Sequence, residues 1–334
     1  DGKGYFYPDQ PITVAESVTL LVRALGYDEM AKSYGGYSVG YLIVGQSIGV
    51  MKNITGQTNG VLSKEQAVAM LYDSLEAKVL LTNTIAGDGT MQQDGDKTVR
   101  SFFLNLEKAT GIVTANEITA LEGAPKTAKN YVKIDRALYY VGQDFYYMKD
   151  YLGYSVTVYY RMEDGERVIA AVMQNKHEQL LLSADEIVSV ENGVITYAKE
   201  VDSRMKKVHL KKNSGIIFNG QWTDTYLDEQ LMPTSGSVLC IDSTGNGDYD
   251  VIVVQSYQIY VVDSVNLLQE KIGTKSPVAT AIELKDVIDD NRLTDKSGAH
   301  VSISEIQADQ VVAVSESMDG GFVSVILCSE EISG

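Results

Sequence analysis

Residues 12–25 read ITVAESVTLLVRAL and residues 62–75 read LSKEQAVAMLYDSL. Aligned fifty positions apart, Ile12 meets Leu62, Thr13 meets Ser63, Glu16 meets Gln66, Val18 meets Val68, Leu21 meets Leu71 and Leu25 meets Leu75. Both copies open on a capping box. A hydroxyl is placed to accept from the backbone N–H three residues on, and a Glu or Gln can reach back to the cap's own N–H. Apolar residues then recur at three-four spacing, as Ala15, Val18, Leu21, Val22 and Leu25, and as Ala67, Met70, Leu71 and Leu75. That period predicts one helix per copy, each with a single apolar face. Gly26 stands just past the last periodic residue, where a helix stops. Upstream of the second copy, residues 40–51 (GYLIVGQSIGVM) predict a shorter apolar helix closed by Gly49, followed by a loop over 53–60. One unit is therefore helix, loop, capped helix, and neither helix buries its stripe alone.

Composition narrows the classes. The chain has 334 residues, 45 acidic against 28 basic, and a formal net charge of −17. Phosphate neutralisation needs a basic face, so a nucleic-acid partner is not expected. Five prolines within a 44% apolar composition argue for folded domains rather than a disordered chain. No apolar run is long enough to predict a membrane-spanning helix. Two cysteines, Cys240 and Cys328, are too few for a disulfide-stapled scaffold, and two buried free thiols or one bridge are both open.

The N-terminal residues resemble the S-layer homology module of bacterial cell-surface proteins. The resemblance lies in Tyr5-Phe6-Tyr7-Pro8-Asp9, in Pro11-Ile12-Thr13-Val14-Ala15-Glu16, and in Leu-Val-Arg-Ala-Leu-Gly-Tyr over 21–27. It continues in Gly35-Gly36-Tyr37, Gly40-Tyr41-Leu42 and Ile48-Gly49-Val50, and spans residues 1 to about 80. It implies an extracellular location at the bacterial wall, and a helical module that docks on wall polysaccharide or on neighbouring surface-protein chains. It places polymer-binding positions at Gly36, Tyr37, Tyr41, Lys64 and Glu65. The family's cap motif carries an arginine that grips an anionic, pyruvate-bearing polymer; here that position is Val14 in one copy and Lys64 in the other. Val14 has no charge, and Lys64 offers a point charge rather than a planar fork. The family usually repeats three times, so the resemblance implies that a helix and loop precede Asp1.

Beyond residue 81 the pattern changes. Residues 82–107 read as a linker, rich in Gly, Asp and Gln over 83–97. From 108 onward, β-branched and aromatic runs alternate with turn residues. Three hairpins recur over 155–174, 236–255 and 309–329, the first turning on Asp164-Gly165. β-rich stretches over 111–121, 193–208 and 259–284 precede them, with short strands over 131–134, 216–219 and 300–303 between. The expected class is a multidomain α+β protein. A helical module (1–81) leads through the linker to three small all-β domains at 108–178, 179–257 and 258–334.

Candidate chemistry is sparse. Asp242, Thr244, Asn246, Asp248 and Asp250 place oxygen side chains at alternate positions around a glycine, like the first part of an EF-hand loop. Calcium is the one cofactor this suggests. The twelfth position is Val253 rather than Glu, and the sister hairpins have plain turns here, so a polar hairpin turn is the alternative. Nine aromatic residues fall within 138–160 and serve either as an exposed sugar-stacking face or as alternating core residues. His177, His209 and His300 show no ligand spacing, and no nucleophile elbow, phosphate loop or dinucleotide fingerprint occurs. These readings favour a non-catalytic, S-layer-associated structural surface protein whose β-domains act as a spacer or a lattice contact, with an adhesin or a carbohydrate- or calcium-binding module as the alternative. A non-catalytic part of a wall enzyme is the third reading.

Overall fold

The computed structural model describes residues 9–80, 97–199, 202–211, 215–289 and 292–328. Residues Tyr5 to Pro8 of the N-terminal resemblance, and most of the linker, lie outside them. The fold is mixed α and β, with a helical part followed by a larger β-rich part. Two compact units result, Asp1–Lys108 and Ala109–Gly334.

In the first unit, α1 (Val14–Ala24) and α4 (Lys64–Ser74) are the two capped helices. The Glu16 N–H donates to Thr13 Oγ1 at 3.2 Å, and the Thr13 N–H donates to Glu16 Oε2 at 2.8 Å. Ser63 and Gln66 repeat the exchange at 3.1 and 3.0 Å. The two caps lie side by side, because Thr13 bridges Val61 and the Leu62 N–H donates to the Ile12 carbonyl at 2.8 Å. Between them come α2 (Asp28–Ser33) and α3 (Val39–Ser47). Helices α1 and α3 end alike. Gly26 donates to Arg23 O and Tyr27 to Val22 O; Gly49 donates to Gln46 O and Val50 to Gly45 O. Gly26 and Gly49 sit at φ of 90° and 88°, the left-handed position such stops require.

The core joins Val14, Val18, Val22 and Leu25 of α1 to Tyr41 and Val44 of α3 and Met70 of α4. Helix α3 approaches so closely that a Cβ on Gly45 would lie 2.4 Å from Val18 Cγ1. The second copy departs from the expected stripe. Met70 is buried, but Leu71 is 61% exposed, and so is Val68, the counterpart of buried Val18, at 66%. Helix α4 turns its Asp73 side inward instead, where that carboxylate accepts from the Asn53 backbone N–H at 2.8 Å and the Asn53 amide at 2.5 Å.

The described end of the expected linker is not a linker. Residues 97–107 belong to the helical unit through α5 (Val99–Phe103), which Thr98 and Ser101 cap reciprocally. Val79 donates to Lys97 O, Val99 to Ala77 O and Arg100 to Leu75 O, fastening this segment to the end of α4. Arg100 also bonds Leu106 O and pairs with Glu76 and Glu107, and Val99 packs on the core. A short cap motif, these backbone bonds and a partly buried valine hold the segment to the helices.

The second unit holds three groups of strands. The first comprises β1 (Glu107–Ala115), β2 (Tyr131–Ile134), β3 (Ala137–Tyr140), β4 (Ser155–Glu163) and β5 (Glu166–Gln174), closed into a barrel. The second comprises β6 (Gln179–Ser183), β7 (Ile187–Glu191), β8 (Val194–Lys199), β9 (Asp202–His209), β10 (Ile216–Phe218), β11 (Gln221–Thr223), β12 (Gly236–Ile241) and β13 (Val251–Ser256). These form a five-stranded sheet, with β7-β8-β9 as a separate sheet. The third comprises β14 (Gln258–Asn266), β15 (Lys271–Thr274), β16 (Ala281–Glu283), the short helix α6 (Lys285–Asp289), β17 (Leu293–Asp295), β18 (Val311–Glu316) and β19 (Val323–Cys328). The expected strand at 300–303 is absent. His300 forms an isolated bridge to Thr294 rather than a strand, and Ile303–Glu305 is a 3-10 turn capped by Ser302, so the middle strand is β17.

All three groups share one strand order: β3-β5-β4-β1, β10-β13-β12-β6 and β17-β19-β18-β14. In each, the middle strand runs parallel to the second strand of the late hairpin. Three tight hairpins turn on Asp164-Gly165, Asn192-Gly193 and Asn219-Gly220, every residue at positive φ, the mirror-image turn that matches strand twist.

The groups are joined into one unit. Leu121, Leu152 and Tyr154 of the barrel segment pack with Ile217, Trp222, Ile241 and Val251 of the second group. Gly153 is needed there, since a Cβ would lie 2.5 Å from Val251 Cγ1. The Trp222 N–H donates to Thr119 Oγ1 at 2.9 Å. Asn219, buried at its turn, accepts from the Ser256 N–H at 2.7 Å and donates to the Glu316 carbonyl at 2.7 Å, tying the second group to the third.

Candidate functional site

Alternation along strands decides what faces outward. In the second sheet Leu182, Ile216, Val238, Cys240, Ile252 and Val254 fill a core, which turns Leu181, Ile217, Ser237, Leu239, Val253 and Gln255 to the other face. In the third, Leu293, Val312, Val314, Val325 and Leu327 point inward, leaving Thr294, Ser315, Ser324 and Ile326 outward. These outer faces, with the barrel's 3-10 segment Tyr146–Tyr151, wall a cleft of about 750 Å³. A second lobe of about 370 Å³ shares Ile118, Lys149, Arg292 and Phe322 with it. Both volumes fall within the usual range of ligand sites, about 300–1,000 Å³.

The aromatic run 138–160 divides between both of its sequence readings. Tyr139 and Tyr159 are buried in the barrel, whereas Tyr146, Tyr147 and Tyr154 line the cleft. Tyr151 stands between Tyr147 and Tyr154, with ring centroids 5.7 and 5.5 Å away, fixing their orientation. Burial, reinforced by Tyr151, pushes the Tyr147 and Tyr154 phenols up from their ordinary pKa. Asp150 beside them is also raised: burial dominates, Lys149 opposes it and Glu117 adds to it.

The smaller lobe is basic. Lys126, Lys129, Lys149 and Arg292 line it, with Glu117 the one acidic lining residue among those described. Glu117 is engaged by protein donors, accepting from the Tyr146 hydroxyl at 2.5 Å and the Asn130 N–H at 3.2 Å. The Lys149 ammonium lies 4.3 Å from the Tyr146 ring centroid, and the Arg292 guanidinium 4.3 Å from that of Phe322. Sequence reading missed these cations. The available signal was Lys126 and Lys129 close together in an acidic chain, but Arg292 and Phe322 join them only through the fold.

The residues singled out from sequence are scattered. Tyr41 is buried in the helical core, where its hydroxyl donates to Asp28 Oδ1 at 2.6 Å and accepts from Arg23 at 3.2 and 3.3 Å. It holds the helices together and presents no surface to a polymer, contrary to the expectation for that position. Lys32, then Tyr41 and Arg23, hold the Asp28 carboxyl far below the usual range. Val14 is likewise core. Gly36 forms the turn between α2 and α3, accepting from the Gly40 N–H at 2.7 Å, and Tyr37 beside it is exposed. Lys64 and Glu65 are exposed on the first turn of α4. Among the described residues no hydrogen bond or ion pair joins Lys64 or Glu65 to Gly36 or Tyr37.

In the acidic loop, Asp242 is buried and organises the turn. Its carboxylate accepts from the N–H groups of Gly245 (2.6 Å), Asn246 (3.1 Å) and Gly247 (2.7 Å), with the Thr244 hydroxyl at 3.5 Å. Asp250 accepts from the Ser243 N–H and hydroxyl, and Asn246 from the Asp248 N–H. Burial pushes the Asp242 carboxyl upward, and the amides of Gly247, Gly245, Asn246 and Thr244 outweigh it, leaving its pKa low. Asp242, Asn246 and Asp250 thus accept from donors of the loop itself, as in a self-capped turn. His177 packs on this loop through the Asp242 and Ser243 carbonyls, while His300 bonds Leu293 O. Among the described residues no three His, Cys, Asp or Glu side chains are grouped to hold a metal ion. No described helix is long and apolar enough to cross a membrane. Cys240 and Cys328 are both free, and burial pushes the Cys240 thiol up to about 12.

No family model matches the chain, and no curated protein matches it.

Proposed function

We propose that the chain is a non-catalytic structural protein of a bacterial cell surface. Its helical unit docks on wall polymer or a neighbouring surface chain, and its β-unit acts as a spacer. The observation that carries this reading is the triple recurrence of one strand order, in groups joined by a shared apolar cluster and by the bonds of Asn219 and Trp222. Repeated modules fastened to their neighbours suit a part that holds a distance, because relative motion of each group disrupts buried contacts. The resemblance of the capped-helix repeat to S-layer homology modules supports the surface location. The exposed Tyr37, Lys64 and Glu65 are the positions of that resemblance still open to a partner. Sedimentation with purified wall sacculi tests the docking. The chain is expected to pellet with intact sacculi and to stay in solution with sacculi stripped of their accessory polysaccharide. Full recovery in the supernatant over intact sacculi contradicts the reading.

A further inference from the structure

The cleft between the β-groups has a composition that a spacer does not require. The chain's formal charge is −17, yet Lys126, Lys129 and Lys149 line its smaller lobe beside Arg292, whose guanidinium donates to the Val323 and Asp286 carbonyls, with Glu117 the one carboxylate there among the described residues. Among the described residues Lys126, Lys129 and Lys149 make no ion pair. Lysines without an ion-pair partner around a concave wall focus a positive potential against the molecule's overall sign, offset only by Glu117 and by Asp150, which faces Lys149 from the adjoining lobe. Such a lobe repels cations and selects a carboxylate or phosphate. The adjoining larger lobe adds Tyr147 and Tyr154, ring faces suited to the C–H face of a sugar, and Phe322. It also presents Ser237, Gln255 and Thr294, whose side chains bond no other described residue and can meet hydroxyls. The two lobes are adjacent, sharing Ile118, Lys149, Arg292 and Phe322 as lining residues, and a ligand that spans them would place its anion in one and its sugar ring in the other.

We propose that this two-lobed cleft binds a short acidic saccharide, with its carboxylate or phosphate in the lobe of Lys126, Lys129, Lys149 and Arg292 and its ring against Tyr147 and Tyr154. This goes beyond the structural role and stands independently of wall docking by the helical unit. A nucleic acid fits less well, because the large acidic remainder of the surface opposes an extended polyanion.

Isothermal titration of the full chain tests the proposal with three probes: a galacturonic acid tetramer, a neutral galactose tetramer and galactose 6-phosphate. At least one acidic probe is expected to bind about tenfold or more tightly than the neutral one, and its affinity to fall with added salt. The two acidic arms separate a carboxylate ligand from a phosphate ligand. The double variant K126A/K129A changes exposed side chains and is expected to keep the wild-type melting temperature while losing about tenfold in affinity for the acidic probe. Tyr147→Ala is expected to weaken the same probe without altering its salt dependence. No binding of either acidic probe, equal affinity for the neutral tetramer, or unchanged binding by K126A/K129A overturns the proposal. Sedimentation with sacculi is unaffected by K126A/K129A if docking resides in the helical unit, which keeps the two readings separable.

Discussion

Individual side chains hold the β-unit at places where backbone alone cannot. Asn219 combines a φ of 46° with three hydrogen bonds, two to Ser256 and one to Glu316. Asn219→Ala places a Cβ-bearing residue without a local bond in the left-handed region and leaves the half-buried Ser256 N–H without its partner. The expected loss is about 2–4 kcal/mol in urea unfolding. Asp242 makes a pH prediction. Its folded pKa lies below the ordinary carboxylate value, so its contribution is complete above about pH 4 and is lost as pH falls through the folded value. The urea midpoint of Asp242→Asn is therefore expected to lie below wild type at pH 7, and the gap to narrow near pH 3. Cys240, with its thiol pushed up to about 12, is expected to resist a thiol reagent in the native protein and to react only after unfolding, read by mass spectrometry of the labelled peptides. Rapid native labelling at Cys240 contradicts its burial.

At the scale of elements, local chemistry was the legible part. A capping box needs only a hydroxyl and a Glu or Gln three residues apart, so Thr13 and Ser63 announce helix starts, as Gly26 and Gly49 announce stops. The Asp-Gly hairpin was legible for the same reason. What sequence did not show was the face of α4, because Asp73 is drawn inward by Asn53, twenty positions away. Nor did it show α5, where one cap and Val99 fasten a short, mixed stretch to residues 75–79. The strand expected at 300–303 fell to β17 because its parallel partner β19 lies some thirty residues on. Helix packing yields its own prediction. Gly45→Ala adds helix propensity worth about 1 kcal/mol, yet its methyl would lie 2.4 Å from Val18 Cγ1. The net expectation is destabilisation of about 1–3 kcal/mol, measured by thermal melting of the helical unit's circular dichroism.

For the whole molecule, the three hairpins in sequence gave notice of the three strand groups, but not of their union. The joining residues are unremarkable one by one: a glycine at 153, an asparagine in a turn, a threonine at 119. The cleft was illegible for the same reason, since each sheet contributes alternate residues whose meaning depends on what stands opposite. The central claim is that these groups behave as one body. Trp222 is the chain's single tryptophan and sits in the junction between barrel and second sheet, so its fluorescence reports that junction directly. The decisive measurement is urea unfolding followed by Trp222 fluorescence and, in parallel, by hydrogen exchange of amides in β4, β12 and β18. One body predicts that all four signals change in a single coincident transition. A Trp222 transition that precedes loss of protection in the three strand groups would show a loose junction and contradict the account.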